Sequence, residues 1–346
     1  MRVLVTGGAG FIGSHVVEIL LEARHEVFVA DNLSTGKLEN LPSGVPFYKT
    51  DITDPAIESV FREVQPQALI HQAAQVAVPV SLRDPVFDAN VNIIGTLNLL
   101  EACRKYGVEK VVFASSAAVY GNPQYLPVDE EHPLRPLSGY GISKHAAERY
   151  LEAYRELYGL RWTALRYANI YGPRQDALGE GGVVAIFIDK LLNNRQAVIF
   201  GDGEQTRDFV YVKDVAAANL LALEQGDNQI LNISTGQAAS VNELYTLIRR
   251  EVGSTLQPQY GPPRAGDIVH SYLDNKRAVT ELHWQPQYGL AEGLKETVDF
   301  YREATNNNVT EGIVAQTAGL LSDMEMSGKE YVEDIRKGSA KGLKEI

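Results

Sequence analysis

The sequence predicts an α/β fold: a doubly wound parallel sheet with a smaller mixed α/β lobe. Three observations lead to this prediction. Short β-rich runs alternate with helix-period stretches through the first 160 residues, a glycine-rich loop follows the first run, and the alternation breaks after about residue 172. Strands separated by helical stretches form right-handed βαβ units, and such units build a parallel sheet.

The alternation can be assigned run by run. The predicted strands are Arg2–Thr6, Glu26–Asp31, Pro46–Lys49, Ala68–Gln72, Lys110–Ser115 and Arg161–Tyr167. The predicted helices are Gly13–Ala23, Asp54–Val64, Ile94–Lys105 and Ser143–Leu157. Continuous apolar runs such as Val111-Val112-Phe113 are typical of strands that are buried on both faces.

The regular alternation of strands and helices stops after about residue 172. The sequence therefore predicts three units: 1–172, 173–305 and 306–346. Elements in the second unit become short and mixed, and the proline-rich run Gln257–Asp267 predicts no regular structure. Asn306-Asn307-Asn308 reads as a linker to a tail of two amphipathic stretches, Thr310–Met324 and Lys329–Ile346. A cleft between the first two units is the default position for a ligand site.

Composition narrows the functional classes. The 346 residues contain 32 basic and 44 acidic side chains, a net charge of −12, which argues against a nucleic-acid-binding surface. The single cysteine, Cys103, excludes an internal disulfide and a thiolate zinc site, and we expect it to be buried. We expect no metal from the scattered histidines, no membrane span from the short apolar runs, and a cytoplasmic protein.

The glycine-rich loop carries the first chemical signal. Gly7, Gly8, Gly10 and Gly13 lie between a predicted strand and a predicted helix, in the spacing of a Rossmann-type dinucleotide fingerprint. Asp31 follows at the end of the second strand, where its carboxylate can accept hydrogen bonds from an adenosine ribose. The same charge repels a ribose 2′-phosphate, so the pattern favours NAD over NADP.

A second signal lies at the end of the fifth strand and on the helix after it. Tyr140 and Lys144 are four residues apart, which puts them on one helix face. An ammonium beside a phenol should lower the pKa of that phenol and allow it to accept a proton. Ser115 and Ser116 end a buried strand, at the sheet edge where ligands bind in doubly wound folds.

Together these segments resemble the extended short-chain dehydrogenases/reductases, and more narrowly the nucleoside-diphosphate-sugar epimerases typified by UDP-glucose 4-epimerase. The resemblance covers residues 1 to about 304. Its matching segments are Val5-Thr6-Gly7-Gly8-Ala9-Gly10-Phe11-Ile12-Gly13, Ser115-Ser116-Ala117-Ala118-Val119-Tyr120-Gly121, Tyr140-Gly141-Ile142-Ser143-Lys144 and Arg166-Tyr167-Ala168-Asn169-Ile170-Tyr171-Gly172-Pro173-Arg174.

The resemblance implies catalytic roles: Ser116 as the catalytic hydroxyl, Tyr140 as acid and base, and Lys144 as its electrostatic partner. It implies NAD as the cofactor. The implied NAD contacts are Gly7, Gly10, Phe11, Ile12, Gly13, Asp31, Asn32, Asp51, Ile52, Ala73, Ala74, Tyr140, Lys144 and Ala168. Asp31 and Asn32 would contact the adenosine ribose, and Asp51 and Ile52 the adenine.

The resemblance also implies a site for a UDP-sugar. The implied substrate contacts are Ser116, Asn169, Val198, Phe200, Arg207, Arg264, Asp267 and Ser271. Arg207 and Arg264 would hold phosphate oxygens by charge-assisted hydrogen bonds. Ser271 matches a position that controls the C2 substituent of the sugar in the family, and its small size predicts that N-acetylhexosamines are accepted.

The implied reaction is inversion at C4 of a UDP-hexose through a transient 4-keto sugar. A 4,6-dehydratase is disfavoured because Ala117 and Ala118 replace the acidic pair that elimination requires in the family. A UDP-glucuronate 4-epimerase or decarboxylase stays open, and so does a non-catalytic NAD-sensing scaffold. The resemblance further implies a homodimer formed through helices around 92–106 and 143–158.

Overall fold

The computed structural model describes residues 1–177, 182–264 and 268–322, with side chains up to residue 306. Its strands are β1 (Arg2–Thr6), β2 (Glu26–Asp31), β3 (Phe47–Lys49), β4 (Ala68–His71), β5 (Lys110–Ser116), β6 (Arg161–Tyr167), β7 (Asn169–Tyr171), β8 (Val198–Phe200), β9 (Thr206–Arg207), β10 (Phe209–Tyr211), β11 (Gln229–Ile233), β12 (Ala239–Ser240) and β13 (Gln259–Gly261).

The α-helices are α1 (Phe11–Glu22), α2 (Ile57–Val64), α3 (Val78–Arg83), α4 (Pro85–Ala89), α5 (Gly95–Tyr106), α6 (Gly139–Tyr158), α7 (Val183–Leu192), α8 (Val212–Leu221), α9 (Val241–Val252), α10 (Lys276–Leu282) and α11 (Leu290–Ser322). Short 3₁₀ turns span Leu38–Asn40 and Ala117–Val119, and a π-helical turn spans Asn90–Ile94 between α4 and α5.

A seven-stranded parallel sheet forms the centre, in the order β11-β6-β5-β4-β1-β2-β3. The order reverses at β1, since β2 and β3 extend to one side and β4, β5 and β6 to the other. Such a reversal opens a crevice at the carboxyl ends of the strands, where ligands bind. The predicted fold class is confirmed, and all six predicted strands are present with ends within one residue.

Both faces of the sheet are buried because helices pack on each of them, and alternate residues of each strand point to opposite faces. Val3 and Val5 of β1 pack with helices α1 and α8, whereas Leu4 between them packs with α2, α5 and α6. In register, Val5 pairs with Val29 of β2 and with Ile70 of β4. This two-faced burial explains the continuous apolar runs. Because the strands pair in parallel, their carboxyl ends lie at one edge of the sheet.

After β6 the structure changes to small pairings. Two-stranded sheets join β7 with β10, β8 with β13 and β9 with β12. The prediction that Gln257–Asp267 has no regular structure is wrong in part, because Gln259–Gly261 forms β13 and pairs in parallel with Val198–Phe200. The prolines at 258, 262 and 263 flank the strand and do not interrupt it. The predicted unit boundary at 172 stays a prediction.

The predicted linker at Asn306-Asn307-Asn308 is also wrong, because helix α11 runs through it to Ser322. Asparagine is only a modest helix-former, but it does not end a helix as proline does. Contacts divide the chain into units Met1–Val298 and Asp299–Ile346. The predicted stretch Lys329–Ile346 lies outside the described residues. Among the described helices, none is both long and apolar enough to cross a membrane.

Candidate active site

The glycine-rich loop after β1 packs too closely for side chains. Gly7 adopts φ +71°, and a Cβ there would lie 2.5 Å from the backbone nitrogen of Ala73. A Cβ on Gly13 would lie 2.1 Å from the carbonyl oxygen of Gly7. These approaches leave bare backbone in front of helix α1, as a dinucleotide fingerprint requires.

Helix α1 begins without a side-chain cap, since its N-cap residue is Gly10. The first N–H groups of any α-helix lack partners within the helix, and they include those of Phe11 and Ile12 here. Helix α6 differs, because Ser138 accepts a hydrogen bond from the Gly141 N–H at 3.2 Å. The bare start of α1 therefore fits the pyrophosphate of NAD, which would complete the missing cap.

The residues predicted at the adenosine end lie together after β2 and β3. The buried Asp31 carboxylate accepts from the N–H groups of Ala9 (3.0 Å) and Leu33 (2.8 Å), and burial raises its pKa. The Asn32 amide donates to the Asp51 carboxylate at 2.7 Å, while Ile52 is buried beside them. The carboxylate of Asp31 is thus tied to the glycine-rich loop by the hydrogen bond from Ala9.

The other predicted cofactor positions lie at neighbouring strand ends. Ala73 and Ala74 follow β4 after one intervening residue, and Ala168 directly follows β6. All three are partly exposed. Their small side chains thus lie near the carboxyl edge of the sheet, where the glycine-rich loop and the end of β5 also lie.

The three predicted catalytic residues are brought together at that edge. The Ser116 side chain, at the end of β5, lies close enough to the Tyr140 phenol, on α6, to lower its pKa. The buried Lys144 ammonium donates to the Ala114 carbonyl at 2.8 Å, and its nitrogen lies 5.9 Å from the centre of the Tyr140 ring. The arrangement provides a phenol, a hydroxyl and an ammonium within one turn of helix and one strand end.

The expected lowering of the Tyr140 pKa is not found in the chain itself. Burial raises the pKa of this phenol, and this rise outweighs the lowering caused by the nearby Ser116 hydroxyl. Burial also lowers the pKa of Lys144 to about 8, although the charges of Asp88 and Glu148 act to raise it. Desolvation therefore dominates the pKa at both positions in these residues taken alone, and a lowering of the Tyr140 pKa by Lys144 stays a prediction.

Sequence reasoning missed a set of buried polar side chains beneath the catalytic residues, which we call the buried network: Ser115, Tyr120, Glu148, Arg166 and Asn232. Arg166 donates twice to Glu148 (2.8 and 2.7 Å), and Ser115 donates to the same carboxylate (2.6 Å). Burial alone would raise the pKa of Glu148, but the bonds from Arg166 and His145 lower it to about 2.

Two signals in the sequence could have revealed this network. Glu148 lies four residues after Lys144, so the spacing that joins Tyr140 to Lys144 simply continues. Arg166 is a charged residue inside an apolar strand, where an unpaired charge would be very costly. Ser115, directly before the catalytic hydroxyl, is thereby fixed to α6 and β6 at once.

The residues predicted to bind the nucleotide sugar lie on the small sheets. Val198 and Phe200 belong to β8, and the exposed Arg264 guanidinium stacks over the Phe200 ring at 4.1 Å. Arg207 and Ser271 share one partner, since the Arg207 side chain (2.8 Å) and the Ser271 N–H (3.2 Å) both donate to the Thr206 carbonyl. The structure therefore places Arg264 with Phe200, and Arg207 with Ser271.

Two predicted substrate residues remain to be placed. Asn169 is exposed at the start of β7, and its N–H donates to the Asp208 carbonyl at 2.9 Å. Asp267 lies outside the described residues. In the part of the chain that the structure describes, no cluster of His, Cys, Asp and Glu could hold a metal ion.

Residues 3–234 match the model of the NAD dependent epimerase/dehydratase family. The chain belongs to this family. Membership agrees with the glycine-rich loop, the bare start of α1 and the Ser116–Tyr140–Lys144 arrangement. The predicted family and the NAD cofactor are thereby confirmed.

Relatives of this chain match it over nearly their whole length. The chain is 48% identical over 309 residues to the UDP-glucose 4-epimerase of Mycolicibacterium smegmatis, and the match covers 87% of this chain and 99% of the relative. The crystal structure of UDP-glucose 4-epimerase from Thermotoga maritima with UDP-glucose is 49% identical, with a TM-score of 0.87, covering 88% of this chain and 100% of that chain.

A third match has a different sugar specificity. The UDP-N-acetylglucosamine 4-epimerase of Methanobrevibacter ruminantium, in complex with UDP-N-acetylmuramic acid, is 38% identical with a TM-score of 0.84. It covers 88% of this chain and 98% of that chain. The structures that the fold resembles therefore include one 4-epimerase solved with UDP-glucose and one solved with a UDP-N-acetyl sugar.

Proposed function

We propose that this protein is a UDP-hexose 4-epimerase that interconverts UDP-glucose and UDP-galactose with NAD as a bound cofactor. The observation that carries the proposal is the placement of Ser116 and Tyr140 together, beside the buried Lys144, at the carboxyl end of β5. It supports acid–base chemistry at a sugar hydroxyl. Two UDP-glucose 4-epimerases that are 48% and 49% identical to this chain support a UDP-hexose as the substrate.

The cofactor would be held by backbone more than by side chains. The first N–H groups of α1 would bind the pyrophosphate, and Asp31 would accept hydrogen bonds from the adenosine ribose. Asn32, Asp51 and Ile52 would line the adenine end. NAD, when bound, supplies an acceptor for the hydride on C4 of the sugar and returns that hydride later.

The chain's own residues handle the proton on the sugar oxygen. Ser116 holds the 4-hydroxyl against the Tyr140 oxygen, and Tyr140 as phenolate accepts its proton as the carbinol becomes a ketone. Lys144 stabilises the phenolate by its charge. Once the 4-keto sugar presents its other face, Tyr140 returns the proton to the oxygen and C4 has inverted.

The nucleotide would be held outside this centre. Arg207 and Arg264 would bind phosphate oxygens. Val198, Phe200, Asn169 and Asp267 would contact the rest of the nucleotide sugar. Ser271, next to Arg207, would face the C2 substituent and leave room for an N-acetyl group. We expect Ser271→Tyr to remove activity on UDP-N-acetylgalactosamine while sparing UDP-galactose; equal losses on both would contradict this placement.

We further propose a homodimer. Apolar side chains are exposed along α6 and at the turn before α5, including Ile94, Ile142, Tyr150 and Leu157. A contact between two such faces would bury them. Light scattering of the full-length protein at micromolar concentration tests it, and a monomer would refute it.

Since NAD and nucleotide sugars are cytoplasmic metabolites, we propose a cytoplasmic location, which cell fractionation tests.

The deciding experiment incubates purified protein with UDP-galactose and follows UDP-glucose by NMR. We expect Tyr140→Phe to lose about 10² to 10⁴-fold in kcat, as removal of an acid–base group does. The matched control is Tyr150→Phe, on the exposed face of the same helix. No turnover of UDP-galactose, but turnover of UDP-glucuronate, would move the assignment to the other sugar. No turnover of any nucleotide sugar would favour a non-catalytic NAD-binding protein.

A further inference from the structure

A second buried carboxylate lies beside the catalytic residues and belongs to none of the roles above. Asp88, on α4, is 1% exposed. Its Oδ1 accepts from the side-chain amides of Gln75 (2.6 Å) and Asn92 (3.2 Å). Both donors are neutral, and among the described residues no lysine, arginine or histidine forms an ion pair with Asp88.

Asp88 is linked through one residue to the catalytic helix. The Asn92 amide lies in the π-helical turn and donates to Ser143 Oγ at 3.1 Å. Ser143 lies between Tyr140 and Lys144 on α6, and its hydroxyl donates to the Tyr140 carbonyl at 3.0 Å. Asp88 thus faces the catalytic turn from a neighbouring helix, and its charge acts on both Tyr140 and Lys144.

The other groups around Lys144 leave its charge without a near neutralising partner. Glu148 is on the same helix, but its carboxylate is occupied by the bidentate bond from Arg166. His71 on β4 is neutral, because burial, assisted by the Lys144 charge, lowers its pKa to about 3. The one hydrogen bond that Lys144 donates to a described residue goes to the neutral Ala114 carbonyl.

We propose that Asp88 is the counter-ion of Lys144, a positioning residue that keeps the buried ammonium charged and sets the electrostatic balance of the Tyr140–Lys144 pair. Of the two described carboxylates whose charge acts on Lys144, Asp88 and Glu148, it is the one that no arginine neutralises. The proposal rests on the proposed function for its catalytic consequence, but the charge coupling itself does not depend on turnover.

The consequence has a definite sign. The Asp88 charge raises the pKa of Lys144 and also that of Tyr140. Removing this charge lowers both. Because the reaction needs Tyr140 deprotonated and Lys144 protonated, both limbs of the pH profile of kcat/KM move toward lower pH. A residue that only supports the fold would lower activity without moving the two limbs together.

The test is Asp88→Asn, which keeps an oxygen that can accept from Gln75 and Asn92. The control is Asp84→Asn: Asp84 is exposed, caps the same short helix by accepting from the Phe87 N–H at 2.9 Å, and asparagine caps equally well. Lysine ¹⁵Nζ NMR of the full-length protein follows the titration of Lys144, and Lys144→Arg serves to assign its resonance. The pH profile with UDP-galactose is measured in parallel.

We expect Asp88→Asn to lower the pKa of Lys144 by about one unit or more, the size that a nearby opposite charge produces. We expect Asp84→Asn to leave it unchanged. An unchanged Lys144 pKa in Asp88→Asn, or an equal shift in Asp84→Asn, overturns the proposal. Asp88→Ser, which removes the same charge, replaces the asparagine variant if that one does not fold. A shifted Lys144 pKa in a protein without epimerase activity would refute the proposed function and leave this inference standing.

Discussion

The buried network under the catalytic residues and the arginine-bearing small sheets differ in where their polar groups find partners. Arg166 is 1% exposed and Glu148 is fully buried, and each is bonded to the other twice. Arg264 is exposed and stacks on the Phe200 ring. One region satisfies its charges within the protein, and the other presents an arginine to solvent at the predicted nucleotide site.

This difference teaches how the fold divides the work. The catalytic end must hold Ser116, Tyr140 and Lys144 to a fraction of an ångström, so the residues beneath them are fixed by saturated hydrogen bonds. The nucleotide end needs only to attract and retain an anion, for which an exposed guanidinium suffices. Changes in the first region should therefore cost stability, and changes in the second should cost substrate affinity.

The largest expected effect is that of Arg166→Met on stability. It leaves the Glu148 carboxylate buried without its cation, which should lower the free energy of unfolding by about 3–5 kcal/mol. The matched control is Arg149→Met, which removes the surface pair with Glu152 and should cost less than about 1 kcal/mol. Urea denaturation measures both, and equal losses would show that burial of the pair does not matter.

The same pair predicts an acid dependence. The pKa of Glu148 is about 2 in the folded chain, whereas a glutamate without partners has a pKa of 4.5. The folded state therefore binds this proton less readily than the unfolded state. Its contribution to stability is therefore complete above about pH 4.5 and is lost as the pH falls toward 2. The free energy of unfolding, measured between pH 2 and 4.5, should depend less steeply on pH in Glu148→Gln than in the unchanged protein. An equal dependence on pH in both proteins would contradict this account.

A smaller effect is expected from Gly13→Ala. The added Cβ would collide with the Gly7 carbonyl oxygen, at 2.1 Å, and the loop must shift at a cost of about 1–3 kcal/mol. NAD binding, followed by fluorescence titration, should weaken as well. Gly289→Ala is the control, since a Cβ there meets nothing within 4 Å. Unchanged NAD affinity in Gly13→Ala would separate the loop from the cofactor.

The smallest effect is expected from Arg264→Ala, which changes the exposed arginine at the predicted nucleotide site. Loss of one charge-assisted hydrogen bond to a phosphate should raise KM for UDP-galactose about tenfold with kcat nearly unchanged. Unfolding should be unaffected, because the side chain is exposed. A fall in kcat with an unchanged KM would place Arg264 in the catalytic region and remove the contrast between the two regions.

The strands, the glycine-rich loop and the Tyr140–Lys144 pair could be predicted because each depends on local spacing. A strand buried on both faces leaves a continuous apolar run, and a helix leaves its i,i+4 period. Asp88 and Asn92 could not be found in this way. They reach the catalytic helix through a π-helical turn and a loop, and no fixed spacing along the chain records such contacts.

Two findings that the sequence pattern did not predict have related causes. The proline-rich run around Gln259–Gly261 forms a strand because β8 supplies its pairing, which is a contact distant in sequence. The pKa of Tyr140 rises because burial outweighs neighbouring bonds, and burial depends on the whole fold. The sequence pattern therefore predicts helices and strands, whereas the pKa of a side chain depends on how far the folded elements exclude water from it.

The central claim is that C4 is oxidised and reduced within one site while Tyr140 handles only the oxygen-bound proton. UDP-galactose carrying deuterium at C4 tests it directly, with the UDP-glucose product examined by NMR and mass spectrometry. The account predicts that the deuterium is retained at C4 and that none is lost to water. Exchange of that deuterium with solvent would contradict it, because the hydrogen would then have left as a proton.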